Sequence, residues 1–183
     1  VRKLLLGVVS AAALVLSGCA ASSEGEQDGL LAGFGLDGKS TVAVIDTLDR
    51  TQDDKAQGLT GSVGYDTLTL SSADGEVELP IPEDQFYLSV APYIQTTHEC
   101  YYHNLASCQG ELVGQDIDVT ITDAAGGVLV DETVTTYENG FAGFWLPKDM
   151  EGTIEVSYNG LTAVSPIGTG TDDPTCLTTL QLG

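Results

Sequence analysis

Residues 116–122 read DIDVTIT, and the alternation in those seven positions decides the fold. On an extended chain Ile117, Val119 and Ile121 fall on one face, and Asp116, Asp118, Thr120 and Thr122 on the other. A period of two with β-branched residues on the apolar side marks a strand with one face on a core and one in water. The rule continues in both directions. Upstream, Leu68 and Leu70 alternate with Thr67 and Thr69, Val77, Leu79 and Ile81 alternate with acids and Pro80, and Phe86, Leu88 and Val90 repeat the pattern. Downstream, VLVDETVTT (128–136), FAGFWLP (141–147) and TIEVSY (153–158) follow the same style, divided by Ala125-Gly126-Gly127, Asn139-Gly140 and Glu151-Gly152. Asn159-Gly160, between VSY and LTAV, is the strongest hairpin signal, because both central residues of a type I′ turn need positive φ. The closing CLTTLQL (176–182) can pair as a last strand.

One stretch breaks the period. In LDGKSTVAVIDTLDR (36–50), Ser40 can cap a helix, while Leu36, Val42, Ile45 and Leu48 recur at helical spacing and Arg50 sits where the helix dipole favours a cation. Seven or more short strands in about 120 residues, with one helix candidate, predict an antiparallel immunoglobulin-like sandwich preceded by a short N-terminal helical segment.

The chain opens with Arg2 and Lys3, then an apolar run ending in Leu16-Ser17-Gly18-Cys19. The run is shorter than the ~20 residues a bilayer span needs, so it reads as a signal peptide. Its ending looks like the lipobox of bacterial lipoproteins, in which Cys19 is acylated and becomes the first mature residue. The expected layout is a lipoprotein signal peptide over 1–18, a flexible acidic tether over 19–29, a helical segment over 30–62, and a β-sandwich over 63–183 that carries the cysteines. Export follows, with the membrane engaged only through the lipid anchor.

Charge sets a further bound. The chain has a formal charge of −21, and losing residues 1–18 leaves 27 acids against four bases, or −23. Such a surface repels nucleic acid and anionic lipid head groups. With Cys19 assigned to lipid, Cys100, Cys108 and Cys176 remain. An odd number of thiols in an oxidising compartment calls for metal ligation, redox chemistry or intermolecular pairing, a homodimer being one assembly open to the chain.

Two of those thiols lie in HECYYHNLASC (98–108), which also holds both histidines of the chain. Zinc-finger and thioredoxin spacings are absent, as are the His-Glu-x-x-His and Gly-x-Ser-x-Gly motifs. His98 lies two before Cys100, a spacing that puts both on one face of a strand, and His103 falls in a loop that could fold back. The same alternation turns one ring of the Tyr101-Tyr102 pair inward. Two or three thiolates with imidazole suit Cu(I) best, with zinc second. The competing reading is a Cys100–Cys108 disulfide closing the loop, worth about 2 to 3 kcal/mol by chain entropy, with Cys176 a buried thiol. Spacing alone does not choose between them.

HECYYHNLASCQGEL, followed by DVTITD, LVDET, NGFAGFWLP and GTGTDDPTCLTTLQL, resembles the CueP family of copper-binding envelope proteins, and GLDGKSTVAVIDTLDR extends the resemblance upstream. The resemblance implies copper binding through Cys100, Cys108 and Cys176, with His98 and His103 as supplementary ligands. It also implies a place in copper resistance and in supplying exported cuproenzymes such as copper-zinc superoxide dismutase. A second class uses the same cysteines as a thiol oxidoreductase or Cu(II) reductase. A third is a structural lipoprotein domain with one disulfide.

Overall fold

The computed structural model describes residues 28–51 and 56–183. The signal peptide, Cys19 and nearly all of the tether lie outside the described residues.

The chain is mainly β. Residues 28–33 are helical, and helix α1 (Thr41–Leu48) precedes the strands. These are β1 (Thr60–Val63), β2 (Thr67–Ser72), β3 (Gly75–Pro80), β4 (Gln85–Val90), β5 (His103–Asn104), β6 (Asp116–Asp123), β7 (Val128–Thr135), β8 (Ala142–Pro147), β9 (Glu151–Tyr158), β10 (Leu161–Gly168) and β11 (Cys176–Leu177). They form three sheets, ordered β3-β2-β1-β5, β10-β9-β6-β7 and β11-β4-β8. The strand pairs are antiparallel except β11 on β4, which is parallel.

The expected alternation is present in β6, where Ile117, Val119 and Ile121 are buried and Asp116 and Asp118 face water. They join Phe86, Leu88, Val90, Phe144, Ile154 and Val156 in one core between the second and third sheets. Each such side chain taken fully out of water contributes roughly 1.5 to 3 kcal/mol. The hairpin from β9 to β10 turns at Asn159 (φ 51°) and Gly160 (φ 81°), the double positive φ that the dipeptide predicted. Ser40 caps α1, its hydroxyl accepting from the Ala43 N–H at 3.3 Å. The helix buries Val44, Ile45 and Leu48 in a second core with Leu36, Leu59, Val63, Leu68 and Leu70, while Val42 is only half-buried.

Strand β4 differs from the half-exposed strand its pattern suggests. Both faces are buried: Phe86, Leu88 and Val90 belong to the first core, and Tyr87 to the second. The reason is layering, since β4 lies between β11 and β8 in a sheet covered on both sides. Gly143 in β8 makes this possible, because a Cβ there would lie 1.9 Å from the Tyr87 hydroxyl. The phenol therefore passes over β8 toward the end of α1.

Candidate metal centre

The site forms where the segment after β4 comes back past β5 and meets β11, and local hydrogen bonds deliver each of its side chains. After β4 the chain turns at 94–96, where Glu111 Oε2 accepts from the backbone N–H groups of Ile94, Gln95 and Thr96 at 2.7, 2.9 and 3.2 Å. Thr97 Oγ1 then donates to the Thr178 carbonyl at 2.7 Å, tying this segment to the C-terminal stretch. His98 follows, half-buried, its ring edge toward Phe141. Its Nε2 is buried and has no hydrogen-bond partner.

Cys100 comes next, then Tyr101 and Tyr102, which both point outward at 47% and 52% exposure. One inward ring was expected from alternation. It is absent because residues 94–102 are not a strand. Tyr101 instead donates its hydroxyl to the Asp172 carbonyl, and its own carbonyl accepts from the Cys176 N–H at 3.1 Å. A turn then brings Cys108 back. Asn104 Oδ1 accepts from the Ala106 and Ser107 N–H groups, its carbonyl accepts from the Cys108 N–H, and its own N–H donates to Cys108 Sγ at 3.3 Å. Strand β11 adds Cys176 by pairing it with Ser89 of β4.

One ligand atom each from His98, Cys100, Cys108 and Cys176 lies within 4.8 Å of the others. Cys100 is bonded to Cys176 across a Cα separation of 5.7 Å, and Cys108 is a free buried thiol with its sulfur 3.4 Å from that of Cys100. This differs from the Cys100–Cys108 disulfide that was one of the two readings open from spacing. The physical reason is non-local: parallel docking of β11 on β4 carries Cys176 to Cys100, whereas the Asn104 turn holds Cys108 alongside. Three sulfurs sharing one ion at about 2.3 Å in a plane would stand about 4 Å apart, so the Cys100–Cys176 bond must be reduced and those two sulfurs must part before all three can bind one ion. His98 offers a ring nitrogen as fourth donor, and its Nε2 is an orphan. A buried nitrogen with no partner costs about 1 to 3 kcal/mol, a cost that a bound ion would remove.

His103 stands apart from this group. It lies in β5, paired with Val63, and is fully buried. Its Nε2 is 2.7 Å from Asp49 Oδ1, and its Nδ1 is 3.6 Å from Cys176 Sγ. Burial works to lower the His103 pKa. The Asp49 carboxylate overcomes this by charge and hydrogen bond, with Cys108 adding to it, and raises the value from 6.5 to about 9. Burial likewise opposes ionisation of Asp49, but the His103 charge and hydrogen bonds from His103, Tyr87 and Asn139 hold it below the ordinary value. The two shifts describe one buried ion pair.

Sequence reasoning passed over Asp49, Tyr87, Ser89 and Asn139. One signal was there: Asp49 is an acid at a helix C-terminus, where the dipole disfavours it. Asp173, directly before Pro174, by contrast serves a turn, its Oδ2 accepting from the Gly170 N–H at 2.7 Å.

The fold and the cluster together define a β-sandwich protein with a Cys3His group suited to a soft metal ion. A family model described as "Periplasmic copper-binding protein CueP" matches residues 43–181. A solved structure described as "Crystal Structure of S.CueP" is 44% identical, with a TM-score of 0.81, covering 85% of this chain and 96% of that one. No curated protein matches the chain. The chain belongs to the CueP family of periplasmic copper-binding proteins.

Proposed function

We propose that this protein holds Cu(I) in the cell envelope through reduced Cys100, Cys108 and Cys176, with His98 as supplementary ligand, and passes it to exported cuproenzymes. The observation that carries this reading is the convergence of three sulfurs and a ring nitrogen of His98 within 4.8 Å, in a histidine whose buried Nε2 has no partner. Thiolates are soft donors, and a sulfur-rich set favours Cu(I) over zinc, although Cys3His also accepts zinc. Two sulfurs are buried and Cys100 is half-buried, so an acceptor would approach from the Cys100 side. A partner thiolate or imidazole there displaces one ligand at a time, and no free ion is released. The lipobox at 16–19 supports acylation of Cys19, which would confine transfer to acceptors near the same membrane. The mass of the mature N-terminus tests that part.

The deciding experiment is Cu(I) titration of the fully reduced protein against a competing chelator, with thiols counted before and after. One tightly held ion with no thiol loss supports the reading, as does loss of that ion in each of Cys100→Ser, Cys108→Ser and Cys176→Ser. Binding unchanged in Cys176→Ser would overturn the three-sulfur site.

The Cys100–Cys176 bond favours a second reading, reduction of Cu(II). Two thiolates would give one electron each to two Cu(II) ions, yielding two Cu(I) and one disulfide. Consumption of two thiols for every two ions reduced identifies this activity.

A further inference from the structure

The most heavily bonded buried polar group in the described chain is Asp49, and the ligand set above gives it no role. Its carboxylate is fully buried and accepts on both oxygens. Oδ1 faces His103 Nε2 and Asn139 Nδ2, each at 2.7 Å, and Oδ2 faces the Tyr87 hydroxyl at 2.5 Å and the Ser89 hydroxyl at 3.2 Å. These donors come from β4, β5 and the turn before β8. Burying a carboxylate costs several kcal/mol before its partners repay it, and a helix C-terminus adds to that cost. A core position chosen for stability alone would be apolar.

Only one arm of the network reaches a reactive group. The side-chain hydrogen bonds of Tyr87, Ser89 and Asn139 go to Asp49 and the backbone, although Ser89 pairs with Cys176 across the sheet, whereas His103 presents Nδ1 to Cys176 Sγ at 3.6 Å. Both the backbone and the ring of His103 have neighbours that fix them. The backbone N–H of His103 donates to Thr175 Oγ1 at 2.9 Å, that hydroxyl donates to the Val63 carbonyl at 2.7 Å, and the Phe141 ring centroid lies 4.7 Å from that of the imidazole. Thr175 directly precedes Cys176, so the same contacts register the imidazole against the sulfur.

We infer that Asp49 is the positioning residue of the metal centre. It holds His103 Nε2 away from the cluster and aims Nδ1 at Cys176, so that His103 serves as hydrogen-bonding neighbour of a ligand sulfur and not as a ligand. The inference rests on the three-cysteine reading above. Partners that orient metal-site groups from outside the ligand set commonly change affinity when lost, by roughly ten- to a hundredfold. Asp49 also links the end of α1 to the site, which gives the N-terminal layer a reason to be packed there.

The test uses the whole reduced chain. Imidazole-nitrogen NMR shifts of His103 are measured without metal and with Cu(I), in wild type, Asp49→Asn, His103→Gln and the double variant, beside chelator competition for Cu(I). In wild type, His103 keeps Nε2 hydrogen-bonded and neither nitrogen shifts as a copper ligand. Asp49→Asn shifts the His103 signals and weakens Cu(I) binding roughly ten- to a hundredfold, and in His103→Gln the same change at 49 has little further effect. A direct His103–copper signature in wild type overturns the inference, as do unchanged His103 signals in Asp49→Asn. If Asp49→Asn does not fold, Asn139→Ala and Tyr87→Phe loosen the same carboxylate, and unchanged His103 signals in both overturn it equally. Absence of Cu(I) binding in wild type would sink the three-cysteine reading instead, and the metal-free signals would still judge the role of Asp49.

Discussion

The sulfur of Cys108 stands 3.4 Å from that of Cys100 while Cys100 is already bonded to Cys176. A disulfide leaves two of the three sulfurs with no thiolate to offer, so the oxidised chain and the metal-binding chain are different chemical species. Cys19 aside, the oxidised chain should show one reactive thiol on unfolding, Cys108, and no tight Cu(I) binding. Added reductant should restore binding in step with two further thiols. Thiol counting beside chelator competition checks this, and tight Cu(I) binding by the oxidised chain would remove Cys100 and Cys176 from the site.

The unpartnered Nε2 of His98 separates a ligand from a packing residue. His98→Phe takes away a buried nitrogen that nothing satisfies and keeps a ring toward Phe141. Metal-free stability should stay within about 1 kcal/mol of wild type or rise, because the relieved desolvation cost is about 1 to 3 kcal/mol. The extra stability conferred by Cu(I) should fall. Thermal melts with and without Cu(I) read both quantities, and an unchanged copper-dependent shift would make His98 a packing residue.

Tyr87 reaches Asp49 only because position 143 has no side chain. Gly143→Ala would place a Cβ 1.9 Å from the Tyr87 hydroxyl, forcing the phenol off its carboxylate. Overpacking of this kind typically costs about 1 to 3 kcal/mol. Tyr87→Phe loses a hydrogen bond to a charged group, worth about 1.5 to 3 kcal/mol, without the clash. Denaturant unfolding should show both losses. The Cβ at 143 would also lie 2.5 Å from Tyr87 Cζ and 2.9 Å from Cε2, so the clash persists in Tyr87→Phe. In a Tyr87→Leu background Gly143→Ala should add little, and full additivity there would show that the clash is not with Tyr87.

The legible parts of this molecule were local. Ile117, Val119 and Ile121 announce a strand through their period, Ser40 announces a helix start, and Asn159-Gly160 announces a turn, because each signal lies within a few residues of its consequence. The gathering of soft donors in 98–108 was legible as composition, and the odd thiol left over pointed to Cys176. Which sulfur meets which was not, because it depends on β11 docking parallel to β4, a pairing of residues 87 positions apart (Cys176 with Ser89) that no periodicity encodes. Tyr87 and Ser89 read as the wet face of a strand, since layering on both sides of β4 is a property of the whole sandwich. Asp49 was one acid among 27, and its burial is set by partners 38 to 90 residues away.

The Asp49–His103 pair makes stability depend on pH, with opposite signs at its two ends. His103 is raised from 6.5 to about 9 in the fold, so its contribution is complete below 6.5 and is lost as pH rises through about 9. Asp49 is lowered, so its contribution is present above 3.8 and is lost as pH falls through its folded value. The alkaline loss should be on the order of 3 kcal/mol, counted once for the pair. Cys108 and Cys176 also face the ring and Tyr87 faces Asp49, so the comparison has to isolate His103. Denaturant midpoints of wild type and His103→Gln, measured from pH 6 to pH 10 with the cysteines in one redox state, do this. Wild type should lose stability across the range faster than His103→Gln by roughly that amount. Parallel profiles would mean that His103 is neutral in the folded protein and that Asp49 holds it by a hydrogen bond alone.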